Sequence, residues 1–272
     1  MRKRSVRIRY SDQKQTTTIM KNYKLDLDRQ RIQFIDSRFY LSPKGNYLPS
    51  VTTILDAYPK PAQFYSWLKE VGGDADTIRD EAGRRGSVVH ELTERYDCNE
   101  EISLVNDFGT PQYKILEWSM FERYVEFSTN YHPQIDMMEV HLMSDKLGFA
   151  GTLDRVIRLG SLTMLLDIKT SNSIYPSYWL QLAAYHQLLK EHHKKLNVDA
   201  VGILWLNAKT RTSGKGGAIQ GQGWQLVQRS MTELKKDWEL FKSTQKLWLA
   251  MNDGVTPKNI SYQLKYKKDA LR

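Results

Sequence analysis

Between residues 136 and 168 the chain changes its hydrophobic period from helical to alternating, and this change limits the folds open to it. Asp136–Met143, Gly151–Leu159 and Leu162–Ile168 read as three successive strands. Short turns at Asp145–Gly148 and Gly160–Ser161 join them into a meander. The segments on either side are helical. From about Asp74 to Tyr96, the residues Ile78, Ala82, Val89, Leu92 and Tyr96 share one face, and a second helix covers Gln112–Tyr131. After the meander come a helix over Ser177–His193, strands at Val201–Leu206 and Trp224–Arg229, and a closing helix over Met231–Asn252 with apolar residues at 234, 238, 241, 248 and 251. Upstream, Arg7–Tyr10, Lys24–Asp28 and Arg31–Asp36 alternate like short strands, and Pro43–Asn46 supplies a turn. Ser50–Tyr58 opens at a helix cap and is stopped by Pro59 and Pro61. This order predicts an α/β protein with a mixed central β-sheet flanked by helices and an N-terminal β-rich extension. The expected division is a basic extension over 1–47, a core over 48–252 and a basic tail over 253–272.

Composition narrows the functional classes. At 272 residues a single embellished domain is expected, and 40% apolar with 26% charged residues argues against wholesale disorder. No apolar run reaches the roughly 18 residues of a membrane span. The amino terminus lacks the apolar stretch of a secretory signal. One cysteine, Cys98, excludes an internal disulfide framework, a cysteine-based zinc site and a cysteine-ligated iron–sulfur cluster, so a reducing, cytoplasmic setting is expected. The formal charge of +9 is uneven: residues 1–31 hold ten Lys/Arg against three Asp. An arm carrying Arg2, Lys3, Arg4, Arg7 and Arg9 suits a polyanion such as nucleic acid, or is simply a solvated terminus.

The chemistry concentrates in Gly148–Lys169. Asp167 sits inside the apolar run Met164–Lys169, where a carboxylate is costly unless its charge is compensated. Asp167 and Lys169 are two apart and project from the same face, and the Gly160–Ser161 turn lets Asp154 lie close to Asp167. Glu139 on the preceding strand can join from the same side. Converging carboxylates repel unless a cation lies between them, and oxygen ligands suit Mg²⁺ or Mn²⁺. The plainer alternative is two ion pairs, Asp167–Lys169 and Asp154–Arg155. On the first helix, Gly83, Gly86, His90, Glu94 and Asp97 share the face opposite the apolar one, which makes His90 a metal ligand, a phosphate contact or a partner of Glu94. Gln181 and Tyr185 stand one turn apart on a Leu- and Ala-rich helix.

Taken in order, Arg85–His90, Glu139, Gly151–Asp154, Asp167–Lys169 and Gln181–Tyr185 resemble the motifs of the PD-(D/E)XK nuclease superfamily, in its RecB-type exonuclease branch common in phage and recombination systems. Leu48–Leu55 is similar to the region preceding the core in phage members, and the resemblance spans roughly 48–245. It implies a restriction-endonuclease-like core and divalent-metal-dependent hydrolysis of DNA phosphodiesters, as an exonuclease leaving 5′-phosphates. The alternatives it leaves are a structure-specific or restriction-like endonuclease and a non-catalytic DNA-binding module. By the same resemblance His90, Asp154, Asp167 and the Ile168 carbonyl hold Mg²⁺ or Mn²⁺, with Glu139 as a further ligand. Lys169 orients the attacking water or stabilises developing charge, and Gln181 and Tyr185 position the substrate backbone. Linear single- or double-stranded DNA is the implied partner, together with a separate recombination or replication protein. Branch members with a cysteine-bound cluster differ from this chain, which also lacks helicase motifs.

Three other features are read as structural. Thr212–Gly223 lacks the spacing of a phosphate loop and reads as a hairpin loop that can touch DNA through Lys209, Arg211 and Lys215. His192 and His193 end a helix where a positive charge favours the dipole. Trp179, Trp205, Trp224, Trp238 and Trp248 are expected in the core or in strand pairs.

Overall fold

The computed structural model describes residues 31–34, 37–208, 223–253 and 257. The expectations for the basic arm, Lys24–Asp28, Lys209, Arg211, Lys215 and the C-terminal tail fall outside these residues.

Met164–Ile168 are each at most 1% exposed, so the strand that carries them is covered on both faces and paired on both edges. The chain runs β1 (Arg31–Phe34), β2 (Ser37–Leu41), β3 (Tyr47–Pro49), α1 (Val51–Leu55), α2 (Ala62–Val71), a 3₁₀ turn (Gly72–Asp74), α3 (Ala75–Asp97) and α4 (Ile115–Tyr131). It continues through β4 (Gln134–Ser144), β5 (Phe149–Leu159), β6 (Leu162–Lys169), α5 (Pro176–His192), β7 (Ala200–Trp205), β8 (Gln225–Ser230) and α6 (Met231–Met251). Strands β4 to β8 form one mixed sheet in sequence order, with β6 and β7 parallel and the other neighbours antiparallel. The parallel pair needs a long crossover, which α5 provides.

Two cores sandwich the sheet. On one face Ile54, Leu182, Leu188 and Phe241 from α1, α5 and α6 pack on Phe149, Leu153, Val156, Leu165 and Ile203. On the other, Val89, Met120, Tyr124 and Phe127 from α3 and α4 pack on Ile157, Met164, Leu166, Ile168 and Leu204. The expected mixed α/β architecture is therefore present, and the meander strands fall where the alternation puts them. The β5–β6 turn has two central residues, with Gly160 at φ 61, the II′ pattern that requires glycine first. The N-terminal sheet, ordered β1-β2-β3, joins the core through Tyr40 and Leu48 against Met143 and Ala150, and through a Ser42 Oγ donation to Asp145 Oδ1 at 2.8 Å.

Local chemistry sets several element ends. Ser50 Oγ accepts from Thr53 N at 3.0 Å and starts α1. Ser230 and Glu233 form a reciprocal capping box that starts α6 directly after β8. One helix, α2, is not expected from the sequence. Pro61, read as a breaker, occupies its N-cap position, and no residue of the helix is fully buried.

The apolar positions of the closing helix are not equally buried. Leu234, Phe241 and Trp248 are buried, but Met251 is 68% exposed in the last turn. Phe241 contacts Phe149 edge-on at 5.1 Å and stacks on Trp238 at 5.6 Å. Phe241→Ala should lower the unfolding free energy by about 3–5 kcal/mol in urea titrations, whereas Met251→Ala should stay within about 0.5 kcal/mol of wild type. Equal effects of the two would contradict the packing described.

Candidate active site

The last residues of β6 carry the two charges on which the site is built. Asp167 has a side chain only 1% exposed, and the Lys169 ammonium lies 2.7 Å from its Oδ2. Gln181 on α5 joins both: Lys169 Nζ donates to Gln181 Oε1 at 3.1 Å, and Gln181 Nε2 donates to Asp167 Oδ1 at 3.2 Å. The same amide donates to the Tyr185 hydroxyl at 3.1 Å. Gln181 and Tyr185, one helical turn apart, thus share the face of α5 that meets the carboxylate. The Tyr178 ring lies under the ammonium, 4.6 Å from it. Gly151 on β5 makes room for Tyr185, because a Cβ there would overlap the phenol ring.

The second half of the site is held by the Ile168 peptide. Its N–H donates to Asp154 Oδ2 at 2.8 Å, and its carbonyl accepts from His90 Nε2 at 3.1 Å. A proton on Nε2 leaves the lone pair on Nδ1. That nitrogen lies 3.8 Å from Asp154 Oδ2 and 3.9 Å from Glu139 Oε1. His90, Glu139 and Asp154 each offer one ligand atom within 4.8 Å of the others. Asp167 lies outside that trio, engaged by Lys169 and Gln181, and the Ile168 carbonyl stands beside it as the acceptor for the imidazole. His90 therefore faces the carboxylates and β6, in place of the pairing with Glu94 that helix spacing allowed. Gly86, one turn before His90, faces Thr170 just beyond β6, where a Cβ would make an ordinary contact with Thr170 Oγ1 at 3.4 Å.

Arg155 departs from the sequence reading. Its neighbour Asp154 receives only a backbone contact from it, while its guanidinium pairs with Asp97 at 2.9 Å and Glu139 at 3.1 Å. Asp97 also accepts from the Tyr124 hydroxyl. Sequence adjacency could not have found these partners, because Asp97 is 58 positions away. The helix-face reading that put Asp97 on the same side as His90 was the available signal.

Burial dominates the electrostatics. It raises the Asp167 pKa to about 6, against the opposing pull of Lys169 and with a further push from Asp154. Burial lowers the Lys169 pKa, but Asp167 and Asp154 outweigh it and hold the group above the ordinary lysine value, and so charged. For His90 burial also disfavours the cation, yet Asp154 and Glu139 together leave its pKa raised. Burial pushes the Tyr185 phenol well above its usual range, so it stays protonated.

The donor set fits a hard divalent cation. Two carboxylates and one imidazole converge, with Nδ1 3.8 and 3.9 Å from the carboxylate oxygens and one ligand atom of each residue within 4.8 Å of the others, and this mix of oxygen and nitrogen donors suits a divalent cation. Asp167 stands beside this cluster with its charge already met by the Lys169 ammonium, 2.7 Å from its Oδ2.

His192 and the tryptophans have structural roles. His192 Nε2 contacts the Met143 carbonyl at 2.7 Å. Trp179, Trp224 and Trp248 are buried, and Trp205 Nε1 donates to the Ser171 carbonyl at 2.7 Å.

The raised Asp167 pKa generates a pH prediction. A carboxyl that binds its proton more tightly in the folded chain contributes stability that is full below the unfolded pKa of 3.8 and is lost as pH rises towards about 6. In EDTA, the unfolding free energy of wild type relative to Asp167→Asn should therefore fall by about 2 kcal/mol between about pH 4 and pH 6. Denaturant titrations at several pH values measure it, and a constant or rising difference would contradict the burial described.

No protein-family profile matches the chain, and no curated protein matches it. Among solved structures it is similar to a protein from Eubacterium rectale provisionally called an exonuclease, at 13% identity and a TM-score of 0.39 over 78% of this chain and 90% of that one. It is also similar to an alkaline exonuclease from Laribacter hongkongensis, at 9% identity and a TM-score of 0.32 over 74% of this chain and 89% of that one. These low TM-scores leave the chemistry of the site to its own geometry.

Proposed function

We propose that the protein is a divalent-metal-dependent deoxyribonuclease that hydrolyses phosphodiester bonds of linear DNA and leaves 5′-phosphates. The observation that carries this reading is the convergence of His90 Nδ1, Glu139 Oε1 and Asp154 Oδ2 beside the buried Asp167–Lys169 pair. His90, Glu139 and Asp154 would hold Mg²⁺ or Mn²⁺, with Asp167 as a further carboxylate next to them. When bound, the cation polarises the scissile phosphate and lowers the pKa of a coordinated water. The protein's own residues supply the rest. Lys169 is fixed by Asp167, Gln181 and the Tyr178 ring, so its positive charge waits where a phosphate gains negative charge, with no reorganisation at the moment of reaction. Gln181 sets the angle of Lys169, and Tyr185 sets Gln181.

The lining beside the cluster suits contacts to a phosphate backbone. A groove of about 240 Å³ beside the cluster is lined by Arg85, His90, Lys169, Thr170, Ser171 and Tyr178. Cations and hydroxyls of this kind contact phosphates, whereas base reading relies on side chains reaching base edges within a DNA groove. A phage or recombination setting, and a separate replication or recombination partner, rest on the family resemblance alone.

Two experiments test the reading. Lys169→Ala should reduce Mg²⁺- or Mn²⁺-dependent cleavage of end-labelled DNA by about 10²–10³-fold while DNA binding persists, since removing one transition-state stabiliser has that scale. Cleavage at the wild-type rate would refute the assignment of Lys169. The second compares equal amounts of linear DNA, closed circular single strands and relaxed circular duplex. Progressive loss of linear DNA alone is expected. Rapid cutting of both circles would replace the exonuclease reading with the endonuclease one and leave the metal chemistry standing.

A further inference from the structure

Arg155 is the largest fully buried side chain in the described structure, and its charge is spent on one side of the candidate metal cluster. Nε pairs with Asp97 Oδ2 at 2.9 Å, Nη1 with Glu139 Oε1 at 3.1 Å and the Asp154 carbonyl at 2.9 Å, and Nη2 with Thr93 Oγ1 at 3.4 Å. Asp97 is held in turn by the Tyr124 hydroxyl at 2.7 and 2.9 Å. A relay of charge-assisted hydrogen bonds therefore runs from α4 through the end of α3 and across β5 to β4. Stability alone does not account for it, because a buried ion network is often matched or bettered by apolar side chains of similar volume.

The far end of the relay gives the reason. Glu139 is the most exposed of the three carboxylates in the site, at 29% for its side chain against 11% for Asp154 and 1% for Asp167. Its backbone lies in the left-handed region, φ 48, which is unfavourable for a residue with a Cβ. One of its carboxylate oxygens stands within 4.8 Å of the Asp154 carboxylate, and two like charges at that range push apart. The Oε1 that accepts from Arg155 is the same atom that faces His90 Nδ1. A planar guanidinium with donors in a fixed fork can hold one carboxylate on Nε and another on Nη1 at a set angle, which a lysine ammonium cannot.

We infer that Arg155 is a positioning residue: anchored by Asp97 and Tyr124, it holds Glu139 against Asp154 in the orientation that accepts a divalent cation. This inference rests on the metal-dependent reading of the site and names a residue that would never touch the substrate. Without Arg155, Glu139 swings away and the cluster keeps His90 and Asp154 alone.

The test is Mn²⁺ binding, measured by calorimetry and by loss of the free-ion electron paramagnetic resonance signal, on wild type, Arg155→Lys, Glu139→Gln and the double variant. Arg155→Lys should weaken Mn²⁺ by about 10–100-fold, the scale for loss of a partner that orients a metal ligand. In the Glu139→Gln background the same change should cost no more than about twofold, because residues acting through one another are not additive. A purely structural arginine would lower the melting temperature and leave the Mn²⁺ affinity of the folded protein unchanged, and that result overturns the inference, as do additive losses. If Arg155→Lys does not fold, Asp97→Asn takes its place, with a loss of about 3–10-fold expected and an unchanged affinity overturning the inference. Wild-type protein that binds no Mn²⁺ would overturn the metal reading as well. Wild-type binding with unchanged variants would overturn the role of Arg155 alone.

Discussion

The structure is organised around one unfavourable act, the burial of Asp167 in the middle of an apolar strand. Two neighbours compensate it. Lys169, two residues along the same strand, supplies the opposite charge at 2.7 Å, and Gln181 ties the two together from the helix that crosses back over the sheet. Burial still outweighs that pull and holds the Asp167 carboxyl above the ordinary carboxylate range. The parallel pairing of β6 with β7 and the helices over both faces exclude water from the pair, so the same strand that makes the core also makes the site electrostatically strong.

A second feature follows from the Ile168 peptide. Its N–H fixes Asp154 and its carbonyl fixes His90, so a single backbone unit between two charged residues sets the separation of two proposed ligands. Side chains from α3 and β5 are thus referenced to β6 through backbone hydrogen bonds. Arg155 does the corresponding work for Glu139 through side chains alone.

Much of this was legible in the sequence because it is a local contradiction. An aspartate in Met164–Lys169 violates the pattern of a buried strand, and its lysine lies two residues away on the same face. The meander was legible for a related reason: alternation and a Gly160–Ser161 turn are both short-range signals. Helix α2 was not legible, since its half-buried stripe is broken from its surroundings by Pro59 and Pro61, which read equally well as the end of α1. The partners of Arg155 were hidden for another reason. Adjacency offered Asp154, and only the three-dimensional docking of α3 against β5 and β4 brings Asp97 and Glu139 to the guanidinium. Met251 continues the apolar spacing of α6 into its last turn, where it is exposed.

The central claim is that His90, Glu139 and Asp154 form one site for a divalent cation next to Lys169. Anomalous diffraction from a crystal soaked in Mn²⁺ tests it most directly. The account predicts an anomalous peak bonded to His90 Nδ1 and to carboxylate oxygens of Glu139 and Asp154, with His90 Nε2 still on the Ile168 carbonyl. A peak elsewhere in the protein, or none while the His90 imidazole keeps its place among the carboxylates, would contradict it.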